Sequence, residues 1–325
     1  MMTRMRESSS VIICTRNRPD DIVRAVASLL TDESPDLELI VVDQSDRDDT
    51  ALALRSLQDD RLRYLRSRTQ GKGGALNEGL RLVRSQFVVC TDDDCEASAG
   101  WSTDLVQPMF DRPQVALVFS RVEASEYDRQ LGYIPDFLPS HDRLLTRPRD
   151  ICDGWGLGAG MAFRRDVVVE MGGVDRAFGP GGRFPSADDF DLELRLLIKG
   201  WHVYENSSAR ITHHGFRTLH EGRAHTVRDW SALGASCAKA LRGGHPVAAL
   251  APAASILWKR AFWPSVQAIA RRQKPPLRRV SAFVSGFASG LRLPVDHHKL
   301  LYVSSMRVDN DVTIESNERR QSSHP

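Results

Sequence analysis

The sequence contains no long hydrophobic run and no leader-like segment. Residues 1–7 include arginines but no apolar stretch, which predicts that no secretory signal peptide is present. No apolar run reaches the roughly 18 residues that are needed to span a bilayer. The five cysteines form no CxxC pair, and their odd number indicates free thiols in a reducing compartment. These absences predict a cytoplasmic protein.

The chain also has little net charge. The formal charge is +2 at pH 7, which gives no reason to expect nucleic-acid binding. The charge is uneven, however, because the segment 242–300 contains ten Lys or Arg residues and a single acid, Asp296. In this segment aromatic residues flank Lys259 and Arg260, and an apolar stripe with helical spacing runs over 280–291. This pattern suits the surface of an anionic membrane, and a helical bundle packed on the main domain is the alternative.

What the sequence does contain is a strand that ends in three carboxylates. The apolar run Phe87–Cys90 is typical of a buried strand, and Asp92, Asp93 and Asp94 follow it. Open α/β sheets bind their ligands at this end of the strands. Three adjacent anions repel one another unless water or a cation surrounds them, and their oxygens suit Mg²⁺ or Mn²⁺ shared with substrate phosphates. A solvated acidic turn is the alternative.

Strand-like and helical segments alternate along the first part of the chain. Strands are predicted at 11–14, 37–42 and 62–65, with amphipathic helices between them. This alternation predicts an α/β fold with a mostly parallel sheet flanked by helices. We expect three regions, which are an α/β domain over 9–222, a basic helical C-terminal extension over 223–307 and a disordered tail over 308–325.

Two loops have a composition that suits substrate binding. The turn Gln70–Gly74 places Lys72 among glycines ahead of a predicted helix, where it can receive a phosphate group. It is not a Walker loop, because the spacing and the following Ser or Thr are absent, and a plain glycine-rich turn is at least as consistent. The segment 125–150 has little periodicity and predicts either an acceptor-side flap or a disordered insertion.

A second pair of carboxylates is predicted in the first turn of a helix. Ser186 is a natural N-cap, so Asp188 and Asp189 would lie where the helix dipole stabilises negative charge. Taken alone, the pair is better explained as ordinary helix-start acids. Farther along, His213 and His214 follow a predicted strand, where they are either metal-binding or simply exposed.

Taken together, residues 11–216 resemble the family 2 glycosyltransferases, which have the GT-A fold with its Rossmann-like sheet. The resemblance rests on motifs that occur in the family's order. These are Thr15–Pro19, Val41–Ser45, Gly71–Asn77, the DxD-like Asp92-x-Asp94, Gly158–Arg165 followed by Met171–Asp175, Asp188–Leu192 in the place of ED-x-DL, and His213. Each motif is weak alone, but the ordered set covers about two thirds of the chain.

The resemblance implies a role for each group of residues. Asp92, Asp94 and His213 would bind Mg²⁺ or Mn²⁺. A nucleotide-sugar donor, with a UDP-sugar favoured, would contact Thr15, Asn17, Arg18, Asp43, Lys72, Asn77, Asp92 and Asp93. Asp189 would be the catalytic base of a single inverting displacement, assisted by Asp188, and Trp155 would lie with Asp188 on the acceptor side.

The resemblance also implies partners and a location. The acceptor would be a glycan or a lipid-linked molecule, in cell-envelope, polysaccharide or glycolipid synthesis. The enzyme would then be peripheral at the inner face of the plasma membrane, and a nucleic acid is not expected as a partner. Two positions depart from the family pattern, since Asp188 replaces a Glu and Gln44 replaces a frequent Asp. The shorter side chain of Asp188 leaves the acceptor geometry open.

Two other classes of protein compete with this interpretation. A sugar-phosphate nucleotidyltransferase would share the sheet and the metal, but it normally has a glycine-rich phosphate loop after the first strand. Here that loop is Thr15–Pro19, which contains no glycine. A non-catalytic nucleotide-sugar-binding protein would not need an acid pair, a metal triad and a nucleotide pocket together.

Overall fold

The computed structural model describes residues 9–32, 37–270 and 277–303. The strands are β1 (Ser9–Thr15), β2 (Glu38–Asp43), β3 (Leu62–Arg66), β4 (Phe87–Asp92), β5 (Cys95–Ala97), β6 (Val115–Ala124), β7 (Gly132–Tyr133), β8 (Arg143–Leu145), β9 (Gly160–Arg164), β10 (His202–His213), β11 (Arg217–Thr218), β12 (Val295–Asp296) and β13 (Leu301–Tyr302). The α-helices are α1 (Pro19–Leu30), α2 (Asp49–Leu54), α3 (Lys72–Leu82), α4 (Trp101–Asp111), α5 (Arg165–Glu170), α6 (Asp188–Ile198), α7 (Leu219–Arg242), α8 (Pro246–Leu257), α9 (Trp263–Ala270) and α10 (Leu277–Leu291). A 3₁₀ helix spans Pro148–Asp153, and a π-helical turn spans Trp258–Phe262.

In the described part of the chain, nine strands form one central sheet. Its order is β3-β2-β1-β4-β9-β6-β10-β5, and β8 also pairs with β10. β1, β2, β3, β4, β6 and β10 share one direction, whereas β5, β8 and β9 run antiparallel to their neighbours. The predicted α/β fold with a mostly parallel sheet flanked by helices is confirmed.

The sheet is buried on both faces, and alternate side chains of β1 point to opposite faces. Ile12 joins the apolar cluster that contains Leu76 of α3. Its neighbours Val11 and Ile13 join the other cluster, which contains Ile22 of α1. Because successive side chains of a strand point to opposite faces, a continuous apolar run is what a central strand with helices on both sides requires.

The register of the strands brings polar residues together at one edge. Thr15, the last residue of β1, lies opposite Asp43, the last residue of β2. On the other side of β1, Cys14 lies opposite Asp92 at the end of β4. The carboxyl ends of three adjacent strands therefore deliver their side chains to the same place, as the sequence predicts.

The segment 125–150 is docked against the sheet. β8 pairs with β10, and Phe137 forms a bridge with Val122 of β6. Ile134 and Leu145 are both buried. The alternative of a disordered insertion is therefore wrong, because these apolar side chains anchor a segment that lacks a regular hydrophobic period.

The helix that carries the acid pair begins later than predicted. α6 begins at Asp188 and is preceded by Ala187, whose φ is 60°. Ser186 is not the N-cap, because its hydroxyl donates a hydrogen bond to Asp229 at 2.7 Å instead. The two acids still lie in the first turn of the helix, where its dipole favours negative charge.

The C-terminal helices share the core of the α/β domain. The boundary predicted between 222 and 223 falls inside α7, and the buried residues of α7 join the same apolar cluster as those of α6. α10 packs closely on α7, since a Cβ on Gly286 would lie 1.9 Å from the Ser231 carbonyl oxygen. The packed-bundle alternative therefore holds for this face of α10, and the predicted tail 308–325 lies outside the described residues.

The cysteines and the lengths of the apolar helices bear on two features expected from the sequence. The five cysteines are free thiols, as predicted. Across the ranges that the structure describes, no helix combines the length and the apolar character that a membrane crossing requires.

Candidate active site

Asp93 connects the first loop of the sheet to the acidic cluster. The Thr15 hydroxyl donates to Asp93 Oδ2 at 2.8 Å, and Arg18 donates to Asp93 Oδ1 at the same distance. Burial raises the pKa of Asp93 to about 6, although the positive charge of Arg18 opposes this shift. Arg18 also reaches Asp94 at 3.1 Å, and half of its side-chain surface is exposed. The structure thus brings together four residues that the sequence predicts for the site.

Asp94 also lies beside His213. His213 Nε2 is 3.4 Å from Asp94 Oδ1, a buried oxygen to which no other described residue donates a hydrogen bond. The other imidazole nitrogen, Nδ1, lies 2.8 Å from the carbonyl oxygen of Pro135, so Nε2 is the nitrogen that faces the carboxylate. A buried carboxylate oxygen whose one nearby partner is an imidazole nitrogen fits the coordination of a cation.

The residues around Asp94 fit a divalent metal in part. The ligand atoms of Asp94, Cys95 and His213 lie within 4.8 Å of one another. Burial raises the pKa of the Cys95 thiol well above its usual value, and Mg²⁺ and Mn²⁺ prefer oxygen ligands to sulfur. Asp94 and His213 are therefore the fitting pair. The predicted third ligand, Asp92, pairs instead with Lys72, whose Nζ is 2.6 Å from Asp92 Oδ1.

Lys72 lies between the acidic cluster and the acid pair. It is the first residue of α3, and its side chain is mostly buried. Besides Asp92, the ammonium group lies 3.7 Å from Asp188 Oδ2. The Lys72 backbone N–H donates to the carbonyl oxygen of Pro180 at 2.9 Å. The glycine-rich turn therefore holds one cation between two sets of carboxylates.

The turn before α3 and the loop before α6 meet through backbone alone. Gly71 and Gly181 have φ values of 78° and 80°, in the left-handed region that favours glycine. A Cβ on Gly181 would lie 2.6 Å from the Cα atom of Gly71, and a Cβ on Gly71 would lie 3.0 Å from the Gly181 carbonyl carbon. Both positions therefore require glycine, for conformation and for space.

Both carboxylate oxygens of Asp189 accept hydrogen bonds from the backbone. Asp189 Oδ2 accepts a hydrogen bond from the Gly158 N–H at 2.9 Å, and Oδ1 accepts one from the Phe190 N–H at 2.7 Å. Burial, together with the negative charge of Asp188, nevertheless raises the pKa of Asp189 to about 7. A carboxyl group that titrates near neutral pH is suited to accept a proton from a substrate hydroxyl.

Trp155 lies next to the acid pair. Its ring contacts the ring of Phe190 edge-on, with 5.3 Å between the centroids. The guanidinium carbon of Arg260 lies 4.3 Å from the centroid of the same indole. The predicted acceptor-side residue is therefore in contact with the C-terminal π-helical turn as well as with the helix of the base.

Two predicted donor-binding residues shape the nearby loops. Asp43 is fully buried and accepts a hydrogen bond from the Tyr64 hydroxyl at 2.7 Å. The Asn17 side chain donates to Asp46 Oδ2 at 2.8 Å and accepts from the Asp46 N–H at 2.9 Å. These bonds tie the loop after β1 to the loop after β2, beside the edge where both strands end.

The structure does not bring Asn77 to the acidic cluster. Its amide donates to the carbonyl oxygen of Val174 and accepts from the Val174 N–H, both at 2.8 Å. Asn77 lines a separate cleft of about 530 Å³ together with Arg81 and Lys299. Its contacts join α3 to the Gly172–Asp175 stretch, and a direct contact with a donor remains only a prediction.

Sequence reasoning missed a buried cation behind the acid pair. Lys239 Nζ lies 2.6 Å from Asp175 Oδ2 and 2.7 Å from Asp191 Oδ2, and all three side chains are buried. The Tyr302 N–H donates to the same Asp175 oxygen at 3.0 Å. The available signal was that Lys239 is the only charged residue between 232 and 241, in an otherwise apolar helical stretch.

The architecture belongs to a known class of transferases. A mannosyltransferase from Pyrobaculum calidifontis, solved in complex with GDP-Man and Mn²⁺, has this fold. It superposes with a TM-score of 0.57 over 89% of this chain and 88% of its own length, at 19% sequence identity. A likeness at this identity is one of fold, and the fold is that of the GT-A glycosyltransferases.

The chain belongs to glycosyl transferase family 2, which matches residues 10–172. It is 37% identical over 102 residues to the GalNAc(5)-diNAcBac-PP-undecaprenol beta-1,3-glucosyltransferase of Campylobacter jejuni, over 30% of this chain and 33% of that protein. It is 25% identical to the glucosyl-dolichyl phosphate glucuronosyltransferase of Haloferax volcanii, over 63% of this chain and 68% of that protein. The chain thus spans between a third and about two thirds of the length of these relatives.

Proposed function

We propose that the protein is an inverting glycosyltransferase that moves a sugar from a nucleoside-diphosphate donor to an acceptor hydroxyl. The observation that carries this proposal is the relation between its two carboxylate sites. Asp189, with a pKa near neutrality, lies beside Asp188, and Lys72 connects Asp188 to the acidic cluster at the sheet edge. A displacement reaction needs a proton acceptor on one side of the reacting carbon and a site for the leaving group on the other side. Asp189 and the acidic cluster are the groups proposed for these two roles.

The acidic cluster and its loop form the donor side of the proposal. The diphosphate leaving group gains negative charge as the bond to the sugar breaks, and Arg18 and Lys72 supply positive charge there. Thr15 and Asp93 fix the loop that carries Arg18, and Asp43 lies at the adjacent strand end, where a nucleoside base would bind. A UDP-sugar is the favoured donor on the resemblance to the family.

Asp189 acts as the general base in this reaction. It accepts the proton of the acceptor hydroxyl while that oxygen forms a bond to the anomeric carbon. The bond between the anomeric carbon and the diphosphate oxygen breaks on the opposite face, so the configuration inverts. The N–H groups of Gly158 and Phe190 hold the carboxylate in position. The charge of Asp188 raises the proton affinity of the base, and we propose that Asp188 also contacts the acceptor.

Asp94 and His213 are the residues that would hold Mg²⁺ or Mn²⁺ in this proposal, with Asp92 as a further predicted ligand. A divalent ion bound there would neutralise the leaving diphosphate as a Lewis acid. The contribution of the chain is to place the Asp94 oxygen beside His213 and to orient the imidazole through the Pro135 carbonyl.

We further propose a lipid-linked acceptor in envelope glycan or glycolipid synthesis, and a peripheral position on an anionic membrane. The two relatives above are named for undecaprenol- and dolichyl-linked substrates. In this chain, three aromatic residues near Lys259 in the sequence are at least half exposed, namely Trp258 (58%), Phe262 (50%) and Trp263 (53%). Exposed aromatic residues beside basic ones support binding to a membrane interface.

The reaction class can be tested by product analysis. The protein is incubated with UDP-, GDP- and dTDP-sugars and Mn²⁺, and the release of nucleoside diphosphate and of pyrophosphate is measured. Release of nucleoside diphosphate supports the proposal, whereas release of pyrophosphate favours a nucleotidyltransferase. Binding of the donor without turnover, in the presence of lipid-linked acceptors, would favour a non-catalytic protein. A thermal-shift screen identifies the preferred base, because stabilisation follows RT ln(1 + [L]/Kd).

A further inference from the structure

Arg260 and Arg279, in the C-terminal helical region, are in contact, and the described residues supply neither with an acidic partner. Arg279 of α10 donates a hydrogen bond to the backbone carbonyl of Arg260, in the π-helical turn, at 2.9 Å. Partial burial, and to a smaller extent the charge of Arg279, lowers the pKa of Arg260. Within the described residues neither guanidinium has an acidic partner, whereas the adjacent Lys259 pairs with Asp153 at 2.6 Å.

Aromatic rings hold the two guanidinium groups in place. Arg260 stacks over Trp155 at 4.3 Å from the ring centroid, and Arg279 lies 5.8 Å from the centroid of Trp230. A stacked guanidinium keeps its edge available for hydrogen bonds and is pre-organised to bind phosphate with two parallel N–H donors. Guanidinium groups that are held on aromatic rings and lack an acidic partner among the described residues suit an anion with several oxygens.

The arginine pair is close to the proposed catalytic base. The indole under Arg260 contacts the ring of Phe190, the residue that follows Asp189, with 5.3 Å between centroids. A Cβ on Gly154 would lie 3.8 Å from an Arg260 nitrogen, and the same loop continues to Gly158, which donates to Asp189. A group bound at Arg260 would therefore lie beside Trp155, whose ring contacts the helix that carries the base.

The surface beside the arginine pair is apolar and exposed. The exposed aromatics Trp258, Phe262 and Trp263 continue along α9 to Val266 and Ile269, which are 40% and 64% exposed. An exposed apolar surface suits contact with the acyl chains of a lipid. The adjacent cations suit contact with the anionic head group of that lipid. The order along the molecule is thus the apolar surface, the arginines, Trp155 and the helix that carries the base.

We propose that Arg260 and Arg279 form a binding site for the phosphoryl group of a membrane-lipid-linked acceptor. The proposal rests on the function proposed above and specifies its acceptor, which carries phosphate between the lipid and the sugar. The lipid would contact the aromatic surface, the phosphoryl group would bind the arginines, and the sugar would extend past Trp155 to Asp189. The site adds recognition by binding alone and requires no chemistry at the phosphate.

The test is co-flotation of the full chain with three kinds of vesicle. These are phosphatidylcholine alone, phosphatidylcholine with phosphatidylglycerol, and phosphatidylcholine with a polyprenyl diphosphate, the last two matched for surface charge. The parent should prefer the diphosphate vesicles, and soluble pyrophosphate should compete. In Arg260→Gln/Arg279→Gln the preference should fall by about tenfold or more, because the charged donors to the phosphoryl oxygens are lost.

A matched control is Arg278→Gln/Arg292→Gln, which removes the same charge from exposed positions of the same region. This control should keep the preference for diphosphate vesicles. An equal loss in both double variants, or equal binding of the parent to both anionic vesicles, would overturn the proposal in favour of general surface charge. Loss of glycosyl transfer with retained donor binding in the arginine variant supports it. If the diphosphate preference holds but no donor is turned over, the site stands and the proposed function fails.

Discussion

Lys239 and Asp191 form an ion pair of 2.7 Å in the interior of the protein. Lys239 belongs to the long C-terminal helix α7, whereas Asp191 lies on α6, two residues after the proposed base. Asp175 shares the same ammonium group, and Tyr302 near the end of the described chain binds Asp175 through its backbone N–H. The C-terminal segment is therefore part of the support of the acid pair.

Removal of this cation should destabilise the protein strongly. In Lys239→Met two carboxylates stay buried without their counter-ion, and breaking a buried pair in this way costs about 3–5 kcal/mol. Denaturant unfolding followed by circular dichroism measures the change. Lys199→Met, at the exposed position that follows the last residue of α6, is the control and should change the stability by no more than about 0.5 kcal/mol. Similar stabilities for the two variants would contradict the role of Lys239.

The two neighbouring acids should respond differently to the same substitution. Asp189→Asn keeps the size of the side chain but removes the proton acceptor, so turnover should fall by about 10²–10⁴-fold with donor affinity unchanged. Asp188→Asn should reduce turnover less and act mainly on the KM of the acceptor. Steady-state kinetics and calorimetric titration of the donor separate these effects. A larger loss in Asp188→Asn would assign the base to Asp188 instead.

The pH dependence of turnover should report the same base. Asp189 must be ionised to accept a proton, so kcat/KM should rise with pH through about 7 and level off above it. Because the charge of Asp188 contributes to the raised pKa of Asp189, Asp188→Asn should move this rise to lower pH. A profile measured on both proteins tests the direction. An unchanged midpoint in the variant would show that another group limits the rate.

The metal site should depend on Asp94 more than on its neighbours. Loss of residues that only support a metal ligand typically costs about 10–100-fold in affinity, so Asp94→Ala should weaken Mn²⁺-dependent nucleotide binding by more than that. His213→Ala should have a similar but smaller effect. His214→Ala is the matched control, because His214 pairs with Glu96 at 3.1 Å and is not part of the Asp94 cluster. Titration calorimetry with Mn²⁺ and UDP decides the assignment, and equal losses in both histidine variants would refute it.

The sheet and the edge that carries the site could be predicted from the sequence. Central parallel strands are buried on both faces, so runs such as Val11–Cys14 and Phe87–Cys90 are continuously apolar and end in polar residues. The positions of Thr15, Asp43 and Asp92 follow from the strand ends alone. The first-turn position of the acid pair was also correct, although the cap assigned to Ser186 was wrong because its hydroxyl finds a partner in a distant helix.

The partners within the site could not be predicted in the same way. The pairing of Lys72 with Asp92 depends on how a turn and a strand end meet in space, and local pattern carries no information on that distance. The same holds for Lys239, whose partners lie 48 and 64 residues earlier in the chain. The segment 125–150 was uncertain for a related reason, since two short strands and a few buried side chains leave no periodic signal.

The contact between Gly71 and Gly181 has a consequence for donor choice. These two residues join the turn of Lys72 to the loop ahead of Asp188, and a Cβ at either position would collide with the opposite backbone. Because this contact is made by backbone atoms alone, no change of side-chain rotamer can alter the distance between the two loops. We expect the distance between the acidic cluster and the acid pair to stay constant. That distance would then limit the size of the sugar that can be transferred. A change of donor sugar during evolution would then arise from residues that line the space between the two carboxylate sites, while Gly71 and Gly181 are retained.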